Sequence, residues 1–284
     1  MKIKHIITSG CSFGDAYTPW TWPHVLESHI KSIDPSVTFD HRGMGHQGQE
    51  LIQKKTNNAI IDALDSGIDP DEIGVLVSWS GNDRKTWYIT NQDYINDIKK
   101  HWGTSGGDNW HVQFCDLKNS KEGVEVLPFN NENGEYYVQY NPNGGWYHSA
   151  WHHREPSFIN DYIMLTEAIT DRQYDQHNIN SLHVSLENMI MLQNTCKVHG
   201  IKFYQQYYMD HTYKDIEAVK DHPNLAYLYK QLDQTQRVKP AIHEYVKPFG
   251  LTMSEEDVHP SAEGHQKYFA DVLKPFLEEK NFFD

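Results

Sequence analysis

Apolar positions along the chain follow two rhythms that alternate in order. Residues 3–8, IKHIIT, form a short β-branched run bounded by Ser-Gly, the pattern of a buried strand. In WPHVLESHIKSI, from Trp22 to Ile33, apolar residues recur at helical spacing beside a proline, which predicts a helix. VTFDHRG reads as a second strand, and QELIQKKTNNAIIDALDSG as a second helix closed by Gly67. The most strand-like run is IGVLVSW, from Ile73 to Trp79. The resulting β-α-β-α-β order predicts a parallel sheet with right-handed crossovers and helices on both faces.

After Asp83 the rhythm is lost. Residues 84–155 gather Gly, Asn, Trp, Tyr and His, as in HWGTSGGDNWH and NPNGGWYHSAWHHREP. A structureless loop of that length is improbable inside a compact domain, so the stretch is expected to form an aromatic-rich insertion, either a small subdomain or a lid. Helical spacing resumes from Phe158 to about Thr170 and from Ile179 to Val198. Another strand, IKFYQQYY, follows from Ile201 to Tyr208, and Ala262 to Glu279 reads as a final helix. There is no internal repeat. With 284 residues the chain is long enough for one substantial core, and one domain carrying the insertion is expected.

Charge narrows the partners. Lys and Arg number 25 against 39 Asp and Glu, a formal charge of −14 with His neutral. Such a field repels phosphate backbones and anionic lipid, and no basic patch offsets it, so nucleic acid is not an expected partner. Cys11, Cys115 and Cys196 are too scattered for a disulfide framework or a C-x-x-C site. The apolar stretch in MKIKHIITSG is far too short for a secretory signal, and no run approaches a membrane span. A cytoplasmic protein is the resulting expectation.

In a parallel α/β sheet, ligands gather where strand ends enter loops and helix N-termini. Three such loops stand out: Gly10-Cys11-Ser12-Phe13-Gly14, GMGHQGQE from Gly43 to Glu50, and SWSGNDR from Ser78 to Arg84. A fourth segment is SEEDVHPSAEGHQKYFADVL, from Ser254 to Leu273. Gly10 to Gly14 fits the G-x-S-x-G elbow of α/β-hydrolases, but that elbow follows a strand deep in the sheet, after an upstream loop has supplied an oxyanion amide. Eleven residues before Ser12 cannot build that scaffold, so a tight turn from the first strand into a helix N-terminus explains the glycines better.

The four segments, in this order, resemble the SGNH hydrolase family, the GDSL-like esterases. The resemblance covers roughly residues 3–83 and 200–284. It implies a three-layer α/β/α fold with a flavodoxin-like parallel sheet and a serine esterase acting through an acyl-enzyme, with no metal or organic cofactor. Ser12 matches the family serine, Gly48 the second-block glycine, Asn82 the asparagine of the G-x-N-D block, and His259, followed by Pro260, the histidine. Four departures stand beside these matches: Cys11 replaces the usual aspartate, Gly43 a common asparagine, Ser80 the leading glycine, and Glu256 the aspartate three residues before the histidine. The favoured orienting acid is Asp257, with D-x-H spacing, and Glu256 is its rival.

In the implied roles, Ser12 attacks, His259 accepts its proton and Asp257 steadies the imidazolium. The amides of Ser12 and Gly48 and the side chain of Asn82 supply the oxyanion donors. Substrate is expected to be a small-molecule or carbohydrate ester, with acetyl groups on a sugar as the first class to screen. Structural alternatives stay open for each residue. Ser12 also suits a helix N-cap, Gly48 and Gly45 a turn with positive φ, Asn82 and Asp83 a turn ending a strand, and His259 a surface position before a helix capped by Ser261. Cys11 is read as a buried thiol more readily than as the attacking group. His148, His152 and His153, among Trp146, Tyr147 and Trp151, suit aromatic packing better than a metal centre, and the same rings also suit stacking on a sugar. Trp20 and Trp22 are expected in the core. The same serine chemistry also fits an acyltransferase, and the fold without turnover fits a binding module.

Overall fold

The computed structural model describes residues 2–45, 47–82, 85–89, 136–140, 174–255 and 257–284. For residues 85–89, 136–140, 174–178 and 180 it describes the backbone path alone. The architecture is α/β. Strands β1 (His5–Gly10), β2 (Thr38–His41), β3 (Ile73–Trp79) and β6 (Lys202–Tyr207) form one sheet in the order β2-β1-β3-β6. Every pairing is parallel, with Ile7 opposite Asp40 and Val75, and Val75 opposite Phe203. That order is compatible with a flavodoxin-like sheet.

Helices flank this sheet because its strands bury both faces. All seven residues of β3 are buried, which is why IGVLVSW reads as a continuous apolar run instead of an alternation. Successive side chains divide between two apolar clusters. Ile7, Val75, Val77, Phe203 and Tyr207 pack with residues of α2 (Gln49–Asp65) and α3 (Tyr174–His199). Ile6, Leu76 and Tyr208 pack with α1 (Trp22–Ile33) and the C-terminal helices.

Helix ends place the strands. The φ of Gly67 is +86°, and its N–H and that of Ile68 bond back to Leu64 and Ala63, closing α2 in a Schellman turn that delivers Ile68 toward β3. Gly200, at φ +74°, ends α3 in the same way before β6.

Several sequence expectations change. Between β6 and the final helix the chain forms α4 (Asp210–Ala218), α5 (Ala226–Tyr229) and α6 (Ile242–Val246), in a region where the apolar pattern predicted no element. The predicted final helix is α7 (Ala262–Tyr268) and α8 (Lys274–Glu279), joined by a π-helical stretch, Phe269–Leu273. Pro275 explains the loosened turn, since it lacks the N–H that would bond residue 271. Within the expected insertion, β4 (Lys85–Ile89) and β5 (Tyr136–Tyr140) form an antiparallel pair, with Lys85 opposite Tyr140. The rest of 84–155 and the predicted helix from Phe158 to Thr170 lie outside the described residues. Trp22 is fully buried as expected, but Trp20 is 42% exposed, because it falls in the turn before α1 and not on its inward face. Among the described residues, no helix is long and apolar enough to cross a membrane.

Candidate active site

β1 ends at Gly10, and its next residues are forced into a tight 3-10 turn, Ser12–Gly14. Glycine is required opposite this turn. A Cβ on Gly43 would stand 1.8 Å from the carbonyl oxygen of Gly14, so the second loop reaches the serine turn only because Gly43 has no side chain. Met44 N–H then donates to Gly10 O and Ala16 N–H to Gly43 O, both at 3.0 Å. The side chain of Cys11 is fully buried in the apolar cluster around Trp22, which leaves Ser12 as the partly exposed residue of the turn.

Histidine arrives from the opposite end of the chain on a loop held at its base. Ser261 N–H donates to Leu251 O, Met253 N–H to His259 O, and Ser254 N–H to Asp257 O. Ser261 caps α7 through Gly264 N–H, so His259 does precede a capped helix. Yet its ring is aimed inward: Nε2 lies 2.7 Å from Ser12 Oγ and Nδ1 lies 2.5 Å from Asp257 Oδ1. The Phe13 ring packs against the imidazole at 4.8 Å, with Tyr208 behind it at 5.2 Å. His243 Nδ1 contacts Val258 O at 3.2 Å and steadies the loop from below.

Asp257 is the carboxylate on the imidazole; Glu256 lies outside the described residues. Partial desolvation pushes the Asp257 carboxyl up, but hydrogen bonds from the His259 ring and backbone N–H outweigh it and hold the group below the usual carboxylate range. It therefore stays charged where the histidine needs it. Side-chain exposures of 41% for His259 and 51% for Asp257 leave the relay open to a ligand from solvent.

Buried glutamines join the second loop to the first and third. Gln47 Nε2 donates to Gly10 O and Arg42 O, while the Gln47 backbone carbonyl accepts from Ser80 Oγ. Gln49 brackets Ser80 by accepting its N–H at 3.1 Å and donating to its carbonyl at 2.5 Å. Gly48 lies between these two residues as the N-cap of α2, at φ −87°, so no positive-φ requirement explains the glycine. Asn82 is buried, and its amide nitrogen donates to Thr212 O at 2.9 Å while its oxygen accepts from Gln49. Burial raises the nearby Asp215 carboxyl, opposed by the charge of His211 and a hydrogen bond from Asn82. The Asn82 amide is thus turned toward α4.

Ser12, His259 and Asp257 are therefore brought into one relay, whereas Gly48 and Asn82 sit in the loop network beside it. Asp83 and His148, His152 and His153 lie outside the described residues. Gln47, Gln49 and His265 carry structural weight that the sequence did not reveal. Polar letters at a helix start do not announce burial, and GHQGQE offers only the glycines as a signal. The Nδ1 atom of His265 accepts Trp22 N–H at 3.2 Å, satisfying an orphan amide at the start of α1. Burial, with a smaller effect of His259, lowers its pKa to about 3, so it stays neutral. Compared with known proteins, the chain matches no family model. No curated protein and no solved structure matches it either.

Proposed function

We propose that the chain is a serine esterase of the SGNH hydrolase type, hydrolysing carboxylic esters through an acyl-enzyme on Ser12. In this reading the parallel sheet belongs to a three-layer α/β/α domain, and residues 84–155 form an insertion within it. The observation that carries the proposal is the relay from Ser12 Oγ through His259 to Asp257, with contacts of 2.7 and 2.5 Å. A serine hydroxyl is a weak nucleophile at neutral pH and needs a base within hydrogen-bond reach, which Nε2 provides.

His259 takes the Oγ proton as oxygen attacks the ester carbonyl. The imidazolium donates its Nδ1–H to Asp257, which orients the ring and offsets its charge. Collapse of the tetrahedral intermediate expels the alcohol, protonated by His259, and water repeats the sequence on the acyl-enzyme. Oxyanion donors are assigned to the amides of Ser12 and Gly48 and to the Asn82 side-chain amide, which would have to turn away from Thr212 and Asp215 on substrate binding to serve as the third donor. A donor of this kind is worth about 2.7–4 kcal/mol. Small acyl esters, including acetylated sugars, fit the aromatic composition of the insertion.

Hydrolysis of p-nitrophenyl acetate by the wild type, lowered at least about a thousandfold in Ser12→Ala, supports the proposal. Turnover surviving in Ser12→Ala overturns it. Labelling by a fluorophosphonate without steady hydrolysis points to an acyltransferase, and absence of both to a fold retained without catalysis.

A further inference from the structure

Behind the serine turn lies a cluster that the relay does not use. His24 and Glu27 are three residues apart on α1 and share one helix face, and His41 reaches them from the end of β2. Glu27 Oε2 lies 2.9 Å from His41 Nε2 and 3.8 Å from His24 Nδ1, and all three ligand atoms fall within 4.8 Å of one another. Tetrahedral coordination at zinc bond lengths needs ligand atoms about 3.3 Å apart, so small side-chain rotations suffice.

The opposite ring nitrogens are already engaged. His24 Nε2 donates to the Ala16 carbonyl at 2.8 Å, which leaves Nδ1 as the ring nitrogen facing the Glu27 carboxylate. His41 Nδ1 meets the fully buried Thr8 hydroxyl at 2.7 Å. A carbonyl or hydroxyl behind each imidazole is the support that metal-binding histidines use to fix tautomer and orientation. Glu27 Oε1 is held by Lys31 at 2.5 Å, which orients the carboxylate while leaving Oε2 toward the two rings. The approach of Nδ1 to the carboxylate is favourable when Nδ1 carries a proton or when a metal cation lies between them.

We propose that His24 Nδ1, Glu27 Oε2 and His41 Nε2 bind one zinc-class divalent ion, with water in the fourth position. His24 and Glu27, about a quarter exposed, give the entry side, and His41 is the buried anchor. The ion would cross-link α1 to β2 and, through the Ala16 carbonyl, fasten the turn that carries Ser12. This inference stands apart from the esterase reading.

The test uses the full chain, stripped with EDTA and titrated with ZnCl2 against a chromophoric chelator. The chain holds 18 His, so background binding is whatever persists in the variants. Wild type is expected to bind one zinc more than His24→Gln, and Glu27→Gln to hold that equivalent at least about 100-fold more weakly. At 100-fold excess over Kd, zinc should raise the wild-type Tm by about 5 °C and leave His24→Gln unmoved. Magnesium and calcium should move neither. If the buried His41→Asn fails to fold, the exposed-side variants decide the matter. Equal zinc binding by wild type and His24→Gln, or no zinc bound in the micromolar range, overturns the proposal.

Discussion

Acidification should destabilise this protein through one buried ring. His265 is 2% exposed, accepts Trp22 N–H through Nδ1, and titrates near 3 against an ordinary value of 6.5. Burial is the larger cause, and the charge of His259 adds to it. Because the folded pKa lies below the unfolded one, the unfolded chain binds more protons between these values. Stability is therefore full above pH 6.5 and falls as pH drops toward 3. At pH 4.5 the unfolded state gains two decades of proton binding that the folded state lacks, about 3 kcal/mol. In His265→Gln the side-chain carbonyl still accepts Trp22 N–H, but nothing titrates. Urea unfolding followed by tryptophan fluorescence at pH 7.5 and 4.5 reads the difference. The wild-type midpoint should fall by about 1 M more than that of the variant. Other depressed histidines, such as His41, contribute equally to both proteins and cancel. Equal acid sensitivity in wild type and His265→Gln would refute the assignment.

Asp257→Asn should lower kcat on p-nitrophenyl acetate by about 10³–10⁴-fold, because the neutral amide cannot offset an imidazolium, while Glu256→Gln stays within about twofold of wild type. Gln49→Ala strips both backbone partners from buried Ser80 and should cost about 2–4 kcal/mol in urea unfolding, with reduced turnover. Gly43→Ala drives a methyl group to 1.8 Å from the Gly14 backbone, so it should lower Tm steeply and abolish activity as the serine turn shifts.

The central sheet and its first two helices were legible where burial imposes a rhythm. Helix α1 spans Trp22 to Ile33 as its spacing predicted, and Gly67 closes α2 because only glycine readily adopts its positive φ. The segment after β6 was not legible: α5 and α6 have four and five residues, too few for a helical period to emerge. Ser12 and His259 were found by motif, and Asp257 over Glu256 by spacing. What no spacing conveyed was direction. Nothing in GNDR indicates that the Asn82 amide turns to Thr212, and nothing in HVLE foretells that His41 closes a cluster with His24 and Glu27 from a neighbouring strand.

Convergence of Ser12 and His259 into a reactive pair is tested most directly by mapping where a fluorophosphonate attaches. Digestion and mass spectrometry of the labelled full chain should place one adduct on Ser12, with labelling lost in His259→Ala, which removes the base 2.7 Å from the hydroxyl. An adduct on any other residue, or Ser12 labelling at undiminished rate in His259→Ala, would contradict it.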